Sequence, residues 1–364
     1  MKKEQVTVKF ASVNQSEGFS IEIRKRVKDY FKSNNLSKKG DWRIYSKAII
    51  WITLYIAPFV AMMVFNLNIW ACLSLSVLMG IAAAAIGLNT MHDANHGTFS
   101  KRNWLNKLAG STLMMLGGNP FTWRIQHNVL HHSFTNIHNH DEDISPSGVM
   151  RFSPEEKVKW IFKFQHIYGP FLYGLMSLVW TLHKDFVQIV KYRKLNLIKP
   201  NGSNFTKEML VNILIKIGYF SYIIVLPLLI MDLAWWQWIF CFLTIHFVGG
   251  LLLALVFQAA HVVEETEHPQ PKECGSMQDE WMIHQLKTTA NFATNSKWFS
   301  WFCGGLNFQV EHHLFPNISH VHYPAMAKIV SMCAREYNVP YNDTPTFFQA
   351  VSSHFKELKA LGKK

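Results

Sequence analysis

The chain has 364 residues, of which only 16% are charged and 49% belong to the set AVILMFWYC, where a soluble domain carries roughly 25% charge. That balance excludes intrinsic disorder, a collagen-like repeat and a disulfide-stapled secreted module, while a mean hydropathy of +0.05 excludes a chain made almost wholly of membrane spans. The net charge of +12 suits nucleic acid or an anionic membrane surface, and its placement along the chain decides between them.

Residues 1–45 form a polar, basic arm with Phe31 and Trp42 set as interfacial anchors and no apolar stretch of the kind a cleavable signal peptide needs. Lys2 and Lys364 lead us to expect neither N-myristoylation nor a terminal prenyl group. Residues 46–340 read as one membrane domain. Apolar runs at 48–65 and 69–88, separated only by Asn66, Leu67 and Asn68, are each close to the ~20 residues that cross ~30 Å of hydrocarbon as helix. So short a link predicts a transmembrane hairpin. Residues 105–118 and 160–182 are apolar but interrupted by Lys107, Lys163, His166, Gly169–Pro170 and bordered by His183, which predicts interfacial or half-buried helices. A second hairpin is expected from 213–231 and 235–256, joined by Asp232, Leu233 and Ala234, with Trp235, Trp236 and Trp238 where an interfacial belt belongs. His246 falls in mid-span; such a group is a functional suspect, although a neighbour can also hold it neutral. Residues 341–364 read as a polar tail.

Two hairpins would leave the arm, residues 89–212 and residues 257–364 on one side. Neither tight turn holds a Lys or Arg, so that side is expected to be cytoplasmic, termini included. The basic surplus then reflects topology and lipid attraction, and no motif for reading bases is present, so no nucleic-acid partner is expected. Cys72, Cys241, Cys274, Cys303 and Cys333 show no CxxC pairing and read as reduced thiols.

The 18 histidines are not scattered. His92-Asp-Ala-Asn-His96 follows the second span, His127-Asn-Val-Leu-His131-His132 comes next, and Gln309-Val-Glu-His312-His313 lies beyond the fourth. On a helix each residue advances about 100°, so His92 and His96 share a face, as do His127 and His131. His132 is turned away from His131, and His313 from His312, so each doublet can serve two ions. One such pair would be weak evidence; three clusters beside span ends on one side point to a two-metal site held by converging helices. Imidazole suits zinc, copper, iron or nickel. A structural zinc site closes with four ligands, whereas at least seven histidines compete here, which two irons with an open position for oxygen use better.

HDANH, HNVLHH and QVEHHLFP, in this order and flanked by two hydrophobic hairpins, resemble the membrane fatty-acid desaturases over residues 45–330. The glutamine opening the third box resembles the front-end subgroup, which inserts a double bond between an existing one and the carboxyl end. The resemblance implies an all-α integral membrane fold with four spans and a cytoplasmic helical cap around a non-haem diiron site. It implies ligation by His92, His96, His127, His131, His132, His312 and His313, by Gln309 where other desaturases have histidine, and by one further histidine after the fourth span, a place that His261 fits. O2 would be the co-substrate, and a fatty acyl-CoA or acyl-lipid the substrate. Front-end relatives often carry a fused cytochrome b5 domain with an HPGG motif; here His268-Pro269 continues with Gln270-Pro271, so a separate donor of ferredoxin or cytochrome b5 type is expected.

Asp93, Asp141, Asp143, Glu264, Glu265 and Glu311 are the acids placed to orient metal-bound imidazoles, while His138, His140, His320 and His322 lack paired spacing and read as structural or surface. Trp104, Phe121, Trp123, Trp298, Phe299, Trp301 and Phe302 are available to line an acyl tunnel or to anchor at the interface. Arg24, Lys25, Arg26, Arg124 and Lys184 are available to a head group. The implied reaction is dehydrogenation of an acyl chain, which acid–base groups cannot perform on a methylene; an oxygen-activating metal can. The same ligand set admits hydroxylation. A metal transporter or metal-dependent receptor would instead place ligands along the spans, where only His246 stands.

Overall fold

A computed structural model describes residues 8–12, 18–144 and 148–363 of the chain. It is mostly helical, and four helices are long and apolar enough to cross a membrane: Trp42–Val64, Ile69–Asn95, Phe205–Ile230 and Trp235–His261. We call them the first to fourth spans. Three begin on side-chain caps, with Asp41 accepting from Arg43 N, Asn68 from Ala71 N and Asn204 from Lys207 N, which satisfies backbone donors that the first turn leaves free. The helices overrun the apolar stretches at the polar end, so that His92 and His261 ride on the same rods that cross the hydrocarbon.

The second and fourth spans pack closely, the first lies against the second, and the helix Gln165–Val179 runs along the fourth. Glycines permit this. A Cβ at Gly80 would stand 2.8 Å from Ile245 O, and one at Gly250 would stand 2.8 Å from Tyr173 O and 2.9 Å from Gly174 O. Small residues at such crossings let backbones approach. Because the obstacles at Gly250 are backbone atoms, Gly250→Val is expected to lose at least the ~1–3 kcal/mol typical of overpacking, measured as a lower unfolding temperature in detergent. Gly218→Val, with nothing within 4 Å of the added Cβ, should leave it nearly unchanged.

Two ionisable side chains deep in this bundle, His246 and Lys216, are paired. His246 bonds Tyr219 through Nε2 at 2.8 Å and Ser177 through Nδ1 at 3.0 Å, so neighbours hold it, and it stands apart from every histidine group among the described residues. Lys216, the lone cation of the third apolar run, donates to Asp185 Oδ2 and to Gly117 O, each at 2.6 Å. Asp185 accepts in turn from Thr122 Oγ1 at 2.7 Å and Trp180 Nε1 at 3.0 Å. The third span is thereby fastened to the short helix Pro120–Arg124, which leads directly into the second histidine box.

Beyond residue 340 the composition is polar, yet Phe347–Leu361 is a helix with Ala350, Ser353, His354, Leu358 and Leu361 buried. His354 bridges Tyr173 OH and Val262 O, each at 2.7 Å, which docks this helix on the end of the fourth span. The basic helix Phe19–Ser33 buries Phe19, Ile23, Val27 and Phe31 in a cluster with Leu314, Tyr323 and Met326. It thus covers the segment that carries the third box. A single two-residue parallel pairing joins Asn291–Phe292 to Asp343–Thr344. All five cysteines are free.

Candidate metal centre

Each histidine box is carried on a helix that converges on one buried point, and two of the helices are locally widened. Ile86–Met91, which delivers His92, and Ile125–His131, which holds His127 and His131, are π-helical turns. Such turns are rare and concentrate at functional sites, because one extra residue per turn re-aims the side chains that follow. The third box lies on the short helix Gln309–Leu314, all six residues of which are buried.

The rings gather in overlapping groups. His92, His96, His127 and His312 form one; His131, His261 and His313 form a second; His132 joins His312 and His313 between them. Within each group one potential ligand atom per residue lies within 4.8 Å of the others. The doublets divide as their helical angle requires, His312 belonging to the first group and His313 to the second. Gln309 is buried at the start of its helix, with its side chain beside His261.

The donor set fits bound metal. His127 Nε2 stands 3.1 Å from His92 Nε2 and 3.2 Å from His132 Nε2. A ring nitrogen has one lone pair or one proton, so an N–H···N bond can serve only one of these contacts. Nitrogens ~2.1 Å from a shared first-row ion would stand ~3.0–3.4 Å apart at angles of about 90–109°. The Nε2 atoms of His96, His131, His312 and His313 are buried with no hydrogen-bond partner. Leaving a buried polar atom unsatisfied costs ~1–3 kcal/mol, and a convergent set of them calls for a common partner.

For His131, His312 and His313 the opposite ring nitrogen is occupied. His131 Nδ1 bonds Asp141 at 3.0 Å, His312 Nδ1 bonds the Tyr323 hydroxyl at 3.1 Å, and His313 Nδ1 bonds Gln285 Oε1 at 2.8 Å. These contacts turn Nε2 inward, as outer partners of metal-bound imidazoles do. Burial first, and then repulsion from neighbouring imidazoles, holds His96, His127, His132, His312 and His313 well below the ordinary imidazole range. They stay neutral, with lone pairs free. Burial also opposes charge on His131, but Asp141 outweighs it and raises that group.

Of the six acids singled out in the sequence, three reach the cluster. Asp141 does so directly, Asp143 lies 3.6 Å from His131, and Asp93 lies 3.7 Å from His92 Nδ1. Glu311 points away from the rings, takes bonds from Asn291 and Tyr341, and is pushed up to about 8 by burial. Glu264 and Glu265 sit beside the C-terminal helix, against Lys356 and Ser353. His320 is buried between Asp93, 2.9 Å from its Nδ1, and Lys47, 2.9 Å from its Nε2. His322 packs on Phe31, and His138 and His140 are half-buried. Among the aromatics, Trp123 stacks on His127 at 4.5 Å, whereas Trp104 and Trp298 are largely exposed, Trp301 packs on Trp51, and Phe121 joins a separate cluster with Tyr192. Sequence reasoning passed over Gln285, Tyr323 and Phe257, the last 5.1 Å from the His131 ring. Gln285 and Tyr323 lie outside the boxes, and nothing in their spacing marks them.

Four membrane-length helices and a buried polyhistidine cluster define a membrane protein with a metal site. A sequence profile of the family described as "Fatty acid desaturase" matches residues 67–345. The chain is 35% identical to the sn-1 linoleoyl-lipid 6-desaturase of Synechocystis sp. over 98% of its own length and 99% of that protein's. It is 33% identical to the acyl-lipid (8-3)-desaturase of Physcomitrium patens over 99% of its own length and 75% of that protein's. With the acyl-lipid (8-3)-desaturase of Mortierella alpina the identity is also 33%, over 94% and 78%. The chain belongs to the fatty acid desaturase family and is an oxidoreductase.

Proposed function

We propose that this protein is a front-end acyl-lipid desaturase of Δ6 or Δ5 type, which inserts a cis double bond on the carboxyl side of an existing one. The observation that carries the reading is the convergence of three histidine boxes, the third opening with Gln309, on one buried centre with inward lone pairs. The names of the relatives, which act on linoleoyl-lipid and acyl-lipid substrates, support the substrate class.

His92, His96, His127 and His312 would hold one iron, His131, His261 and His313 the other, with His132 between them and Gln309 adjoining His261. The pair, when bound, supplies the oxygen-dependent oxidation that removes two hydrogens from adjacent carbons. The chain's own residues do the rest. Asp141, Tyr323 and Gln285 fix ring orientation, and burial of every grouped histidine but His96 limits the access of water to the reacting carbons. Trp123, flat against His127, offers an apolar wall against which a chain is positioned. The proposed electron donor is a protein of ferredoxin or cytochrome b5 type.

The proposed topology has two hairpins with both termini and the metal centre on the cytoplasmic side, and three segments: the arm 1–45, the membrane domain 46–340 and the tail 341–364. Exposed Trp70, Trp235 and Trp236 lie at one end of the spans, and exposed Trp42 at the other, in keeping with two interfacial belts. The links 65–68 and 231–234 carry no cation.

The deciding experiment is expression in a host fed linoleate, with double bonds located by derivatised mass spectrometry. A new bond on the carboxyl side, absent from a His313→Ala control, is the expected result. A methyl-side bond, a hydroxylated product, or no product even with a reduced donor supplied to purified iron-loaded protein would overturn it.

A further inference from the structure

The histidine cluster meets a cleft at His96. His96 is only half-buried while the other grouped histidines are buried, and it forms part of the wall of a cleft of about 580 Å³. That volume is in the range of ligand sites. One wall is the helix Asn103–Gly110, the other the first turns of the third span, and Arg124 closes the end. The side chains flanking both walls on the outside are apolar and bare: Trp104 is 58% and Leu108 60% exposed, Leu210 57% and Leu214 67%. A mouth framed in this way faces the edge of the bilayer rather than open water.

Its rim is cationic. Lys107 and Lys207 stand in opposite walls, both exposed and, among the described residues, without an ion pair. Arg124 donates to Asn95 Oδ1 at 3.1 Å. The one acid in the cleft, Glu208, is buried and takes a bond from Ser203. Two free ammonium groups and a guanidinium at the level of lipid head groups are the chemistry that recognises phosphate.

We infer that this cleft seats the phosphate head of a phospholipid-borne acyl chain, with Lys107 and Lys207 as its specificity-determining residues. The inference rests on the desaturase reading and explains its regiochemistry. An enzyme that counts from the carboxyl end must fix the ester end of its substrate at a set distance from the reacting carbons, and in a phospholipid the phosphate follows that ester by one glycerol unit. The cleft sets the lysines and His96 in walls of the same small space. A substrate would slide in sideways from the bilayer, head held at the rim and chain leading inward past His96.

The test uses the full-length iron-loaded protein in nanodiscs with a reduced donor, and three linoleoyl substrates: phosphatidylglycerol, an uncharged galactolipid, and the CoA thioester, which also carries phosphate but arrives from water. In Lys107→Gln/Lys207→Gln the ratio of kcat/KM for phosphatidylglycerol over galactolipid is expected to fall about ten- to thirtyfold, through KM. Iron content should match the parent. A Lys194→Gln/Lys199→Gln variant of equal net charge, altered at exposed lysines outside the cleft, should keep the ratio. An unchanged ratio in the first variant, an equal fall in the second, or a loss confined to the CoA thioester overturns the inference while leaving the desaturase reading in place. If the parent desaturates none of the three, the reading itself fails, and the inference with it.

Discussion

Alanine at His312 is expected to abolish desaturation and to empty the metal position formed with His92, His96 and His127 while disturbing the group through which His132 and His313 adjoin it, whereas alanine at His96 or at His261 disturbs a single group. The difference follows from membership. His312 belongs to the group with His92, His96 and His127 and also to the one with His132 and His313, while His96 and His261 each belong to a single group. Its Nε2 is buried and unpartnered, and its Nδ1 is fixed by Tyr323, so no neighbouring ring can swing in to replace it. Losing an outer partner of a metal ligand costs about 10–100-fold in affinity; losing a ring that belongs to the first group and to the one adjoining it should exceed that. Metal analysis of purified protein gives the content directly, lower for His312→Ala than for His96→Ala or His261→Ala. Two irons retained in His312→Ala would show that the ring is packed beside the centre rather than bound to it.

The second large effect is expected at His320, which touches no other grouped ring. Lys47 donates to its Nε2, its Nδ1–H donates to Asp93, and Asp93 faces Nδ1 of His92. Ser319 adds a further bond to the same carboxylate at 3.2 Å. This chain ties the first span and the segment after the third box to the first ligand of the first box. Removing one partner of a buried charged network leaves the others uncompensated, at a cost of about 3–5 kcal/mol. His320→Ala should therefore lower iron affinity about 10–100-fold on the His92 side while sparing the His131 side. His320→Asn should restore much of it, because its amide nitrogen falls where Nδ1 stood; His320→Gln, whose nitrogen matches Nε2, should not. Iron titration of the three variants separates positioning from mere bulk, since a packing role would rank Gln above Asn.

The grouping of the histidine boxes was legible because histidines at i and i+4 share a helix face wherever the helix goes, and the angular offset within each doublet turns its two rings apart whatever the tertiary fold. The four long helices were legible from apolar runs, but their ends were not: Ile69–Asn95 and Phe205–Ile230 overrun the hydrocarbon-length stretches at 69–88 and 213–231, since a helix continues through polar residues that pack. The outer partners were half legible. Asp93 and Asp141 stood beside or within reach of boxes, but Gln285 reaches His313 across 28 positions and Tyr323 reaches His312 across 11, and neither has a composition that marks it. Glu264 and Glu265 stood as near in sequence to His261 as Asp93 does to His96, yet the helix ends at His261 and the chain turns away before reaching them. Aromatic content gave no guide to which ring meets the centre, because Trp123 and Trp298 differ only in the direction their backbone takes.

One group of ligands is complete only when residues far apart in synthesis meet. His92, His96, His127, His131 and His132 leave the ribosome 180 to 220 positions before His312, a delay of about 10–40 s at 5–20 residues per second. During that interval the first two spans enter the bilayer with their imidazoles exposed to whatever thiols and stray cations the cell holds. The centre can close only after translation has ended or nearly so. Metal delivery to such a centre is a maturation step rather than part of insertion, and a metal seated there would clasp the early half of the molecule to the late half.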